Sequence, residues 1–265
     1  MLFRHLFARM RVPLLLVSLL LASGAGISAA TAQPAAGQAL TIAFRPTAPY
    51  VMQKPDGTLT GLEYDLVMLA ASTAKLTLRP QLAPFGRLPE DFRRRAVDAI
   101  VPANPAMGLP GCISDTVLVY RNLAISLRQR GLVVTFVSDL ERLDVTAFQN
   151  AHVVLGREVA GLQRNPARYR EVANQMLQVR ALFSGRTDVV LAERRIFRHL
   201  MRSPEAGVDV TPALTEHDIF PPTPYGVAFQ RTEDCVTFNR GLTEIRRNGV
   251  YDEVLRRWEA APPFG

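Results

Sequence analysis

Two stretches of this chain repeat one pattern. Residues 95–103 (RAVDAIVPA) and 186–193 (RTDVVLAE) each run from an arginine through Asp98 or Asp188 into a short apolar run. A run of that length, rich in β-branched residues and flanked by helical periodicity, is what a strand buried on both faces of a parallel sheet looks like. Its recurrence predicts two similar α/β lobes in one polypeptide, and two lobes leave a cleft between them.

The segments between fit that division. A strand at residues 40–44 (LTIAF) is followed by a Pro55-Asp56-Gly57 turn and an amphipathic helix over 62–75. A strand over 76–81, a helix over 89–95 and a strand over 97–102 complete a β-α-β-α-β order. Residues 117–134 read as extended and apolar with a polar break at Arg121 and Asn122, so the hinge into the second lobe is expected there. That lobe is predicted to hold a strand over 143–148, a short helix over 151–155 and a long helix over 167–183. Val172, Met176, Val179 and Phe183 would form the buried stripe of the long helix. A strand over 188–192 and a helix over 194–201 follow. Pro221, Pro222 and Pro224 mark a stiff return crossing into a strand over 225–230.

The next helix is capped by Thr232 on this reading, with Glu233 and Asp234 in its first turn, Arg246 and Arg247 in its last, and Gly249 beyond. Cys235, Phe238, Leu242 and Ile245 form its buried face, and Trp258 is expected to pack the final helix onto the first lobe. Lobe 1 is therefore expected over 40–120 and 225–265, and lobe 2 over 121–224.

The amino terminus reads as a secretory signal over residues 1–32. Arg4, Arg9 and Arg11 precede an apolar stretch from Val12 to Ala22, and Ala30-Thr31-Ala32 offers a cleavage site. Residues 33–39 have linker composition, and no cysteine near the cleavage site is placed to carry a lipid. Export to the periplasm as a soluble protein, not embedded in the membrane after cleavage, is the expectation; an uncleaved anchor is the alternative. The signal takes away three arginines and no acids, so the formal charge falls from +7 to +4. A modest, scattered excess of this kind argues against a nucleic-acid partner. Cys112 and Cys235 are the two cysteines, and an even count in an exported chain fits one disulfide, with two buried thiols as the alternative. Closing a loop of that length would stabilise the fold by roughly 4–5 kcal/mol in the chain-entropy model.

The chain has no phosphate-cradling glycine loop, no histidine pair at helical ligand spacing and no nucleophile elbow. No metal and no cofactor are expected, and binding is favoured over catalysis. Three places are equipped to hold a small polar ligand. Arg45 and Tyr50 follow the first strand, where α/β clefts form; a surface arginine beside a packed tyrosine is the alternative. Gln149 and Asn150 sit where a strand meets a helix, offering backbone N–H groups to an anion or a carbonyl, or simply a helix cap from Asn150. Glu193 ends its strand facing the expected cleft, available to an ammonium group or to a salt bridge with Arg194 or Arg195. Asn104 occupies the matching strand end in the first lobe.

Several segments together resemble a known family: PDGTLTGLEYDLVMLA (55–70), VDAIVPA (97–103), GRTDVVLAE (185–193) and YGVAFQRTEDCVTFNRGLTEIRRNGVYDEVLRRW (225–258). They are similar to the periplasmic solute-binding proteins of the polar amino-acid type, which serve ATP-driven importers. FQNA (148–151) followed by Leu155-Gly156 resembles a less characterised branch. The resemblance implies two Rossmann-like α/β lobes joined by two hinge strands, and a permease as partner. It also implies that Glu193 stands at the position of the carboxylate that holds the ligand amine. The family's carboxylate-gripping arginine would fall near Pro110, its glycine and hydroxyl pair at Asn150 and Ala151, and its stacking aromatic at Leu62, so the chain departs from the pattern at all three. The fold is also similar to that of accessory or sensor modules of periplasmic dehydrogenases and signalling systems, and to cyclohexadienyl dehydratase.

Overall fold

The computed structural model describes residues 39–84 and 86–260, so the expected signal and nearly all of the linker lie outside the described residues. Two large sheets form, as the duplicated pattern predicts, beside a small ribbon of Met52–Gln53 paired with Leu59–Thr60. In the first, Leu40–Phe44 lies parallel to Leu78–Leu82 on one side and to Ala99–Ala103 on the other. Thr223–Phe229 runs antiparallel to Ala99–Ala103 and pairs at its far side with Cys112–Ile113 and Leu118–Tyr120. In the second, Tyr169–Val172, Val145–Phe148 and Val189–Glu193 are parallel neighbours, followed by antiparallel Asn122–Leu127 and Leu214–His217.

The buried runs alternate between two packed layers, as the two-residue side-chain period of a strand requires. Ile42, Phe44, Ala99 and Val101 face a core shared with helices Leu62–Thr73, Thr232–Arg247 and Val250–Ala260. Ala43 and Ile100 face the opposite core with Leu88 and Phe92 of helix Leu88–Arg93. The second sheet repeats the arrangement, with Val189 and Leu191 on one side and Val190 and Ala192 on the other.

The chain passes between sheets through Arg121, which separates Leu118–Tyr120 from Asn122–Leu127, and it returns between Leu214–His217 and Thr223–Phe229. Both passages run side by side in antiparallel pairs. Among the described residues no helix is long and apolar enough to cross a membrane.

The expected long helix over 167–183 does not form. Tyr169–Val172 is an edge strand beside Val145–Phe148, and the helix runs only over Met176–Phe183. Aromatic and β-branched Tyr169 and Val172 suit a pleated surface, and a free sheet edge offers hydrogen bonds that outweigh a weak helical period. Gln178, fully buried, pins the shortened helix to the sheet through bonds from its Nε2 to the carbonyls of Thr146 at 3.0 Å and Leu191 at 2.8 Å. Thr232 does not cap its helix: it is the first helical residue, and Arg231 occupies the cap position without a side-chain bond. Cys112 and Cys235 form a disulfide that fastens this helix to the first sheet. Trp258 does pack on the first lobe, donating to Asp65 Oδ2 at 2.9 Å.

Helices Leu62–Thr73 and Thr232–Arg247 meet at Gly241, where an added Cβ would lie 1.9 Å from the Ala70 carbonyl oxygen. Gly161, in helix Arg157–Leu162, has nothing within 4 Å of that position. Gly241→Ala is therefore expected to destabilise the protein by about 1–3 kcal/mol through overpacking. Gly161→Ala is expected to stabilise it by about 0.5–1 kcal/mol through helix propensity. Urea melts of the two variants check both signs.

Candidate ligand-binding cleft

The carboxyl ends of parallel strands leave backbone and side chains exposed at one edge of a sheet, and ligands of α/β proteins collect there. In the first lobe Leu40–Phe44 ends in Arg45, Pro46, Thr47 and Ala48. In the second, Val145–Phe148 ends in Gln149 and Tyr169–Val172 ends in Ala173, Asn174 and Gln175. These two sets of residues form opposite walls of an open cleft of about 530 Å³, completed by Pro84 and by Met176, Ile196 and Leu200. Arg45 and Gln149, both singled out in the sequence, thus meet across one space. Asn174 and Gln175 were hidden inside the supposed long helix; an Asn two residues before an apolar helical run is the signal that exposes them. The Asn174 Oδ1 accepts the Met176 N–H at 3.0 Å, as a helix-start residue does.

Tyr50 and Glu193 lie together and buried, and neither lines this cleft. Tyr50 is fully buried and stacks on Tyr120 at 4.2 Å with the rings 9° from parallel, and Tyr120 tilts against Tyr225 at 4.7 Å. The column joins the loop after the first strand to both passages between lobes. The Tyr50 hydroxyl faces the Glu193 carboxylate and the Arg195 guanidinium without a hydrogen bond of ordinary geometry to either. Burial, reinforced by Glu193, holds its pKa well above the usual tyrosine range.

Glu193, only 4% exposed, caps helix Arg194–Met201: its Oε2 accepts the N–H groups of Arg195 at 2.8 Å and Ile196 at 3.0 Å. Its Oε1 accepts the Arg121 N–H at 3.2 Å, tying the second lobe's helix to the crossing. Burial raises its pKa and these amides oppose the rise. Arg194 pairs with Glu216 at 2.6 Å; Arg195 reaches Glu259 at 3.6 Å, and its charge also acts on Glu193, opposing the rise.

The helix start at Asn150 attracts an anion, as its free amides foretell, and the anion is the protein's own. Glu171 accepts the N–H groups of Asn150 at 2.8 Å and His152 at 3.0 Å, along with His152 Nδ1 and the Tyr169 hydroxyl, both at 2.8 Å. Burial pushes the Glu171 carboxyl up, but these bonds outweigh it and hold the pKa below the usual value. Asn150 itself sits in the left-handed region at φ 65° and makes no capping bond with its side chain. Asn104 is half-buried beyond its strand, with its amide oxygen buried and unbonded among the described residues.

One further group escaped the sequence reading. Glu63, 1% exposed on helix Leu62–Thr73, receives the Tyr120 hydroxyl at 3.3 Å on Oε1 while Oε2 has no partner. A carboxylate in step with Leu66, Val67 and Ala70 on the buried face was its signature. Burial drives its pKa up to about 8, with the Tyr120 bond pulling the other way. A carboxyl whose folded pKa lies above its unfolded one stabilises the fold fully below the unfolded value, and the gain is lost as pH rises through about 8. The Glu63 contribution to the melting temperature is expected to fall from about pH 5 to pH 8, so Glu63→Gln is expected to match the native protein at pH 5 and to exceed it increasingly toward pH 8. Glu193→Ala is expected to cost about 0.5–2 kcal/mol in the absence of any ligand, as loss of a helix cap does. Melting curves across pH test both.

No known family model matches the chain, and no curated protein sequence matches it. Solved structures do. A histidine kinase sensor domain with similarity to periplasmic binding proteins superposes with a TM-score of 0.67 at 14% identity, over 84% of this chain and 96% of that one. The GluR0 ligand-binding core in complex with L-glutamate gives 0.66 at 16% identity, over 84% and 99%. The amino acid ABC transporter substrate-binding protein AbpA from Streptococcus pneumoniae, bound to L-arginine, gives 0.62 at 15% identity, over 85% and 96%. The fold is the two-lobed α/β fold of periplasmic binding proteins.

Proposed function

We propose that the chain is a periplasmic binding protein that takes up a small polar solute between its lobes and presents it to an ATP-driven importer. The observation that carries this reading is the pairing of Arg45 with Gln149 on opposite walls of one cleft. A ligand that touches both walls favours the closed arrangement over the open one, and differential contact is what drives such closure. The moving bodies on this reading are residues 40–120 with 225–265 and residues 121–224, hinged at Arg121 and at the return passage. Arg45 and Gln149 touch the ligand, while Tyr50, Asn104, Asn150 and Glu193 hold the walls in shape. The similar structures include proteins bound to L-glutamate and L-arginine, which supports a small-solute role.

A sensor role has its own support. Glu193 and Glu171 spend their bonds inside the protein, and a histidine kinase sensor domain shares the fold. An enzymatic role has no comparable observation in its favour.

Purified protein screened against amino acids, sugars, polyamines, organic acids and short peptides is expected to melt higher with a subset of them. A solute at one hundred times its Kd adds about 2.7 kcal/mol. Gln149 is exposed, so Gln149→Ala is expected to weaken the effective solute at least several-fold and leave the ligand-free melting temperature unchanged. A screen without a single shift would remove the binding reading. Retention of the loaded protein by membranes carrying its neighbouring permease separates import from sensing.

A further inference from the structure

We infer that the solute selected by this cleft is a small organic carboxylate with an apolar body and no ammonium group, an inference that rests on the binding reading above. Among the described residues of the cleft walls, Arg45 is the one with a charged side chain. A guanidinium carries five N–H donors in a fork that matches a carboxylate, so it can hold one while keeping other contacts.

The opposite wall adds donors. Gln149 and Gln175 offer carboxamide N–H groups, and the Asn174 carboxamide, its oxygen engaged by Met176, offers its NH2. The positive end of helix Met176–Phe183 lies at the same wall and adds to the field.

An ammonium group would find no counter-charge there. Of the nearby carboxylates, Glu193 is 4% exposed and holds three backbone amides, and Glu171 is bound by two amides, a histidine and a tyrosine. Glu63 is 1% exposed, its Oε1 accepts the Tyr120 hydroxyl, and the charge that acts on it is that of Arg45. A cation brought beside Arg45 without a carboxylate partner loses hydration and gains repulsion. Ala48, Ile196 and Leu200 line the rest of the cleft and suit a hydrocarbon body.

Matched trios test this directly. Propionate, alanine and ethylamine share a small skeleton. 4-Methylpentanoate, leucine and 3-methylbutylamine share a branched one. 3-Phenylpropionate, phenylalanine and phenethylamine share an aromatic one. Calorimetric titration of the native protein is expected to show the carboxylate binding at least ten-fold tighter than its two relatives in at least one trio. Gln149→Glu, nearly the same size on an exposed residue, is expected to weaken that carboxylate at least ten-fold, and Gln149→Ala to weaken it less. Tighter binding of an amino acid or amine than of its carboxylate overturns the inference and leaves the binding reading standing. Silence from all nine compounds overturns the inference as well; a hit from the broader panel then keeps the binding reading, and silence there removes both.

Discussion

Leu118–Tyr120 and Asn122–Leu127 carry the chain out of one sheet and into the other, and Leu214–His217 and Thr223–Phe229 bring it back alongside. Each passage satisfies the backbone of the other, so neither lobe can take its place without the second half of the ribbon. The tyrosines of the ribbon extend that dependence to side chains. Tyr120 belongs to the outgoing passage and Tyr225 to the return, and Tyr50 closes the stack from the loop that also forms the cleft wall. The aromatic column is thus outside the cleft's lining but joins the loop that forms one wall to both passages.

The carboxylates near the interlobe region are arranged inward. Glu193 ties a helix start to the crossing, Glu171 neutralises a second helix start, and Glu63 is buried against Tyr120 with its pKa driven up by burial. None of the three belongs to the cleft lining. Among the described residues the lining holds no carboxylate; Arg45, Gln149, Asn174 and Gln175 can all supply N–H donors, and much of the remainder is apolar.

Strands buried on both faces were the parts most legible in the sequence. Leu40–Phe44, Ala99–Ala103 and Val189–Glu193 announce themselves as short apolar runs because both sides demand apolar residues. Edge strands do not carry that demand. Leu214–His217 reads as polar and Tyr169–Val172 as helical, and only pairing with a neighbour decides them. The site followed the same division. Arg45 and Gln149 could be placed at one cleft because strand ends can be located, while Glu193 and Asn150 were located but their hydrogen-bonding groups are engaged by partners within the protein. No local pattern reveals that Glu171, 21 residues away, reaches Asn150.

The Cys112–Cys235 bond spans 123 positions, and every residue of the second sheet falls between its two ends. Covalently, the second lobe is a bight of chain whose base is knotted shut on the first. A protease that nicks the second lobe in oxidising surroundings would thus release nothing: both fragments stay one molecule until a reductant arrives, and the severed lobe keeps both of its tethers while it re-forms.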